Sequence, residues 1–181
     1  GLFRGTDVDF DPLGGVHTPS SKLTAGGDSD SDVFFAKYDS SGNYQWAYDI
    51  GGTRDDVGYG IAVDSYDNVY ITGAFRRPNV DFDPLGGVHT PSSKLSASRK
   101  SDVFFAKYDS SGNYQWAYDI GSWKDDVGYG IAVDSDDNVY ITGYFRKHNV
   151  DFDKSTVYSD NRDLLTSHTS NNSADVFFAK Y

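Results

Sequence analysis

Apolar and polar positions alternate along most of this chain. In Val33–Tyr38, Phe34, Ala36 and Tyr38 fall on one side, and Val33, Phe35 and Lys37 on the other. Across Tyr44–Ile50, Tyr44, Trp46, Tyr48 and Ile50 share a side opposite Gln45, Ala47 and Asp49. Tyr59, Ile61 and Val63 alternate with Gly60 and Ala62, and Val69 and Ile71 with Tyr70 and Thr72. A period of two places successive side chains on opposite faces of a strand, and helical periodicity is missing. Each segment therefore predicts a short, half-buried strand. Between them, Asp39–Asn43 and Asp64–Asn68 supply Asp, Gly and Asn, which accept positive φ or cap a turn with their side chains.

The pattern repeats. Ser31–Gly51 recurs residue for residue as Ser101–Gly121, Asp55–Ser65 as Asp125–Ser135, and Asp67–Gly73 as Asp137–Gly143. VDFD begins at Val8, Val80 and Val150, and DVFFAKY at Asp32, Asp102 and Asp175. The offset is 70 residues through most of the unit, and the stretch between VDFD and DVFF changes length from copy to copy, as a loop open to insertion would. Gly1 aligns with Gly73 and Gly143, so the chain covers about two and a half units. They divide into a partial repeat at 1–54 (the insertion plus two outer strands), a complete repeat at 55–124 and a truncated third at 125–181. Four strands joined by short hairpins and repeated in tandem predict an all-β, β-propeller-like array of four-stranded antiparallel blades. Gly58, Gly60 and Ala62 suit an innermost strand, where blades crowd the axis. A single repeat cannot bury its apolar face alone, so the expected partners are other copies of the chain or further repeats of a longer polypeptide.

The residues also resemble a known family. GYGIAVDSYDNVYITG, with DVFFAKYDSSGNYQWAYDIG in the same unit, is similar to the SBBP-type bacterial β-propeller repeat and to NHL-like blades. The resemblance covers essentially the whole chain. It implies that GIAVD and NVYITG are the two inner strands, DVFFAKY the third and NYQWAYDIG the outermost, with the VDFDP insertion between the second and third. It also implies an extracellular or cell-surface setting in bacteria. About two and a half blades depart from the four or more that close a propeller ring.

Composition narrows the candidate chemistry. A net charge of −11 argues against nucleic acid, whose phosphates need Lys and Arg. The absence of Cys removes disulfide frameworks and thiolate metal sites, and no apolar run is long enough for a membrane helix. The best metal candidate is the string Asp7, Asp9, Asp11. On a strand these carboxylates would face the same way and repel unless a cation sat among them. Asn79, Asp81, Asp83 and Asn149, Asp151, Asp153 repeat the pattern with another oxygen donor in front, a ligand set that suits Ca²⁺. The competing reading is a solvated, acidic strand edge that discourages edge-to-edge pairing.

Other motifs favour simpler roles. Asp28, Asp30 and Asp32 repeat the spacing, but the matching loop of the next copy carries Arg99 and Lys100, which favours a solvated loop. Asp55–Asp56 and Asp125–Asp126 read as turn caps, with cation binding as the alternative. Trp46 and Trp116 fall within strand alternation and predict packing between blades. Trp123 replaces Thr53 of the earlier copy in a loop and is the better candidate for an exposed contact with glycans or surface proteins. His17 and His89 occupy equivalent positions in Ser/Thr-rich loops, and His148 and His168 lie elsewhere; exposed, non-catalytic roles are expected. No HExxH, GxSxG or P-loop string is present, and a catalytic site would break the near-identity of the strands. The expected function is thus a non-enzymatic extracellular structural or interaction module, self-assembling and calcium-stabilised. The alternative is a carbohydrate- or protein-binding propeller that uses the variable loops.

Overall fold

The computed structural model describes residues 1–17, 20–27, 30–76, 78–89, 92–146, 149–153, 164–168 and 173–181. Among these residues there are sixteen strands and no helix. The first repeat supplies β1 (Leu2–Arg4), β2 (Val8–Asp9), β3 (Lys22–Leu23), β4 (Ser31–Tyr38) and β5 (Tyr44–Ile50). The second supplies β6 (Val57–Val63), β7 (Val69–Arg76), β8 (Val80–Asp81), β9 (Lys94–Leu95), β10 (Ser101–Tyr108) and β11 (Tyr114–Ile120). The third supplies β12 (Val127–Val133), β13 (Val139–Phe145), β14 (Val150–Asp151), β15 (Leu164–Leu165) and β16 (Asp175–Lys180).

The middle repeat forms a four-stranded sheet in the order β6-β7-β10-β11, the inner-to-outer order expected from the sequence. The flanking sheets, β1-β4-β5 and β12-β13-β16, have three strands each. Each insertion folds as its own small hairpin: β2-β3, β8-β9 and β14-β15. The blade hairpins close as their residues dictate. Asp39 Oδ1 accepts the amides of Ser41 and Asn43 at 2.9 Å each, and Gly42 takes a φ of 83°. Asp64 Oδ1 holds Tyr66 and Asn68 in the same way at 2.9 and 3.0 Å, and Asp67 takes a φ of 63°.

Glycine decides how closely the inner strands approach. The register of β6 on β7 slips between Gly58 and Gly60, a bulge that sets Gly73 opposite Gly58. A Cβ on Gly73 would lie 1.9 Å from the Val57 carbonyl oxygen, and one on Gly60 would lie 3.0 Å from the Tyr129 carbonyl oxygen of the next blade. Larger residues would force β6 away from both β7 and β12.

One strand sequence meets three environments. In the middle blade, Val103, Phe104, Phe105 and Ala106 are 0–1% exposed, because β10 has a blade on each side. The expected half-buried strand is therefore buried on both faces here. In the first blade, Val33 and Phe35 are 1% and 3% exposed against the second blade. In the third, Val176 and Phe178 are 80% and 72% exposed. The contact that covers the first two is a recurring ring pair, Phe35 with Tyr108 at 4.5 Å and Phe105 with Tyr181 at 4.6 Å between centroids. Trp46 packs in the first interblade core beside Phe35 and Tyr48, and Trp116 lines the second beside Phe105, as their alternation predicts. Tyr59, Ile61 and Val63 depart from their expected burial and are 50–58% exposed. The first blade has no strand in register with β6 to cover them, whereas Ile131 and Val133 of β12 are partly buried beside β6.

Truncating Phe105 to Ala is expected to cost about 3–5 kcal/mol in urea melts of dilute protein, while Phe178→Ala, at the matching position of the third repeat, costs less than about 1 kcal/mol. Equal losses would mean that the two faces are buried alike.

Candidate functional site

The acidic strings do not form the same-face row expected of a strand. Strand β2 holds only Val8 and Asp9, and Asp7 turns into left-handed backbone with a φ of 53°. Asn79 and Asn149 do the same at 63° and 59°. Asp and Asn tolerate that conformation best among residues with a side chain, which accounts for their interchange at this position. The three amides donate outward, Asp7 to Thr24 Oγ1 (3.1 Å), Asn79 to Ser96 Oγ (3.0 Å) and Asn149 to Thr166 Oγ1 (3.3 Å).

The later acids serve their own loops. Asp9 Oδ1 accepts the Asp11 amide (3.0 Å) and the Ser21 hydroxyl (2.7 Å), and Asp81 Oδ1 accepts the Asp83 amide (3.1 Å) and the Ser93 hydroxyl (2.7 Å). Asp151 Oδ1 accepts the Asp153 amide at 2.9 Å. Asp11 and Asp83 cap Leu13 and Leu85 at 2.9 and 3.0 Å. The apolar positions of the motif do the packing: Val80 and Phe82 are 2% and 0% exposed, wedged against Phe75 and Phe104. Among the described residues, no group of three or more His, Cys, Asp or Glu side chains could hold a metal ion.

The histidines have a role that the sequence reading did not assign. His17 Nε2 lies 2.7 Å from Asp11 Oδ2, and its ring packs 4.7 Å from Tyr44. His89 repeats this with Asp83 at 2.8 Å and Tyr114 at 4.7 Å. Each His straps the insertion loop onto the outer strand, and the hydrogen bond from His17 with that from Leu13 holds the Asp11 carboxyl below the usual range. The signal lay in the fixed six-residue spacing of VDFD-PLGG-VH in two copies. His168 pairs with Asp175 at 3.1 Å, and His148 lies outside the described residues.

Where blades meet, paired aspartates fasten one to the next. Asp55 Oδ1, from the start of the second blade, accepts the amide (3.1 Å) and hydroxyl (2.8 Å) of Ser31 in the first, and contacts Arg4 at 3.4 Å. Asp125 repeats the arrangement with the Ser101 hydroxyl at 2.8 Å and Arg76 at 3.7 Å. Asp56 donates its amide to Ser31 O and accepts the Arg76 amide, both at 2.7 Å, while fully buried. Asp126 does the same with Ser101 and Arg146 at 2.8 and 2.7 Å, and gains the Ser122 hydroxyl at 2.9 Å. These pairs mainly join segments 20 to 24 residues apart rather than cap their own turn, the local exception being Asp126, whose Oδ2 accepts the Ser122 amide at 2.6 Å. Burial pushes Asp56 up to about 7, and Asp126 and Asp32 up to about 6. The second junction also holds an open cleft of about 260 Å³ whose lining includes Tyr59, Arg76, Asp125, Tyr144 and Arg146.

The remaining candidates separate. Asp28 lies outside the described residues; the Asp30 amide donates to Gly27 O at 3.3 Å, and the buried Asp32 accepts the Gly26 amide at 2.9 Å. Trp123 is 54% exposed in the linker before β12.

Stacked antiparallel sheets of one repeated sequence, ordered from an inner glycine-rich strand outward, define a tandem β-propeller-repeat protein. The SBBP family model, described as a beta-propeller repeat, matches residues 45–74 and 115–144, so the chain carries SBBP-type repeats. It is also 32% identical over 154 residues to an uncharacterized WD repeat-containing protein of Acanthamoeba polyphaga mimivirus, covering 83% of this chain and 11% of that protein. A regulatory protein, FlaEY, of Caulobacter vibrioides is 31% identical over 114 residues, covering 63% of this chain and 11% of the relative. The chain therefore spans about a tenth of the length of these relatives.

Two predictions follow from the carboxylates. A carboxyl whose pKa folding raises stabilises the protein below its unfolded value, and this stability is lost as pH rises through the folded value. A lowered carboxyl, such as Asp9, Asp11 or Asp55, contributes above the unfolded value and loses that contribution as pH falls. The melting temperature is expected to peak near about pH 4–5 and decline toward about pH 8, with Asp56→Asn flattening the decline. A flat wild-type profile above about pH 5 would show that the buried carboxyls ionise without cost. Because Asp9 and Asp11 are engaged by their own loop, millimolar Ca²⁺ is expected to shift the melting temperature by less than about 1 °C. A rise of more than about 5 °C would establish these residues as ligands.

Proposed function

We propose that this chain is a non-catalytic interaction scaffold whose blades stack in series, and that the open face of β13 and β16 receives a further blade from a second copy or a longer polypeptide. The observation that carries this reading is the ring-pair series. Phe35 meets Tyr108 and Phe105 meets Tyr181, but Phe178 is 72% exposed. At the other end of the series, Tyr38 is 40% exposed. The two ends thus carry the two halves of the contact that already joins the blades. Joining different faces makes a heterologous, head-to-tail contact, which gives rings if the rotation closes and filaments if it does not.

The strand edges favour stacking over completion of one shared blade. Both terminal sheets already contain a DVFFAKY strand, β4 and β16, so a second copy would duplicate that strand. In this reading the insertion hairpins supply the surface that partners meet. The setting is extracellular or at a cell surface, where an acidic, cysteine-free exterior keeps a repetitive β protein soluble.

Sedimentation of the wild-type chain over rising concentration is expected to show association, and Phe178→Asp to abolish it while leaving the circular dichroism spectrum unchanged. A wild-type chain that stays monomeric throughout would overturn the stacking of copies.

A further inference from the structure

The chain carries a net charge of −11, yet the described residues that line one open cavity of about 450 Å³ include four cations and no carboxylate. Its wall comes from three separate segments. Arg54 lies in the linker from β5 to β6, Arg76 closes β7, and Ser98, Arg99 and Lys100 lead into β10. Buried Ala97 adds an apolar patch. Arg76 reaches Asp125 at 3.7 Å on one side, and a guanidinium has five donors, so this contact does not exhaust it.

The repeats supply an internal comparison. Where the first copy has Gly27, Asp28, Ser29 and Asp30, the second has only Arg99 and Lys100, so the local charge changes from −2 to +2. Arg54 has a basic counterpart in Lys124, and Arg76 has counterparts in Arg4 and Arg146. Arg99 and Lys100 stand apart from that shared architecture. Clustering like charges in a concave site is unfavourable by itself, and an anion offsets the repulsion. Planar guanidinium groups match the paired oxygens of phosphate and sulfate. The volume lies within the range of small-molecule sites, about 300–1,000 Å³.

We propose that this cavity binds a sugar-sized ligand bearing clustered phosphate or sulfate groups, and that Arg99 and Lys100 supply the contacts the first repeat lacks. The proposal stands apart from blade stacking, since every residue it uses lies at or before the second blade. Calorimetric titration of the wild-type chain with glucose 1,6-bisphosphate and with a disulfated disaccharide tests it. Saturable binding of at least one probe is expected, weakening as salt rises. Binding of the bisphosphate alone assigns a phosphate ligand, and binding of the disaccharide alone a sulfated one.

Arg99→Glu with Lys100→Glu should weaken binding by at least about tenfold. A loop exchange that installs the first copy's Gly-Asp-Ser-Asp in place of Arg99 and Lys100 should have the same effect. Lys22→Glu with Lys124→Glu changes the net charge equally outside the cavity and should leave binding intact. The absence of saturable binding of either probe to the wild type, or equal losses in the charge-matched control, would overturn the proposal.

Discussion

At the junction of the first and second blades, Val33 and Phe35 press into a core shared with Phe104 and Tyr108, and the Phe35 and Tyr108 rings stand 4.5 Å apart. One blade later Phe105 and Tyr181 repeat the contact at 4.6 Å. A twisted sheet two to four strands wide has two apolar faces and cannot bury either alone. The fold therefore depends on a contact between repeats rather than within one. Every other feature accommodates it. The bulged, glycine-lined inner strands let the blades approach at their narrow side, and Phe82 fills the wedge beside Phe75 and Phe104.

Acidic residues police the same junctions. A carboxylate is costly to bury, and Asp56 and Asp126 are both fully buried. Each accepts an amide from its own blade while its own amide reaches the blade before it. They bind the edge of one sheet to the next where apolar packing has no side chains to offer. The outcome is register rather than raw stability, because burial moves these groups toward protonation. Asp55, Asp56, Asp125 and Asp126 thus use acidic residues to fasten a repetitive scaffold.

The repeats differ where they are free to differ. The strands are nearly identical between copies, with Leu2, Ala74 and Tyr144 an exception at one position, while the insertion loops vary in length and charge. The substitution of Arg99 and Lys100 for the acidic loop of the first copy reverses the local charge without replacing a core residue. A stack of this kind can acquire different surfaces blade by blade, with its packing held constant.

The order β6-β7-β10-β11 and the place of the VDFD insertion were implied by the resemblance to SBBP-type and NHL-like blades, while the strands, the hairpin ends and the packing role of Trp46 were legible in the sequence itself. Alternation, turn residues and repetition are local or periodic properties, and a linear string displays them in full. The same-face row expected of the acidic strings does not form, because strand periodicity does not extend through Asp7 and Asn79. Their left-handed backbone breaks the alternation, and it depends on hydrogen bonds to Thr24 and Ser96, seventeen positions away. The strap between His17 and Asp11 and the basic cavity were hidden for a similar reason: each joins segments that only folding brings together. Burial was the property least accessible to the sequence. Phe35, Phe105 and Phe178 stand in the same seven-residue motif, and whether each is core or surface is decided by the presence of a neighbouring blade.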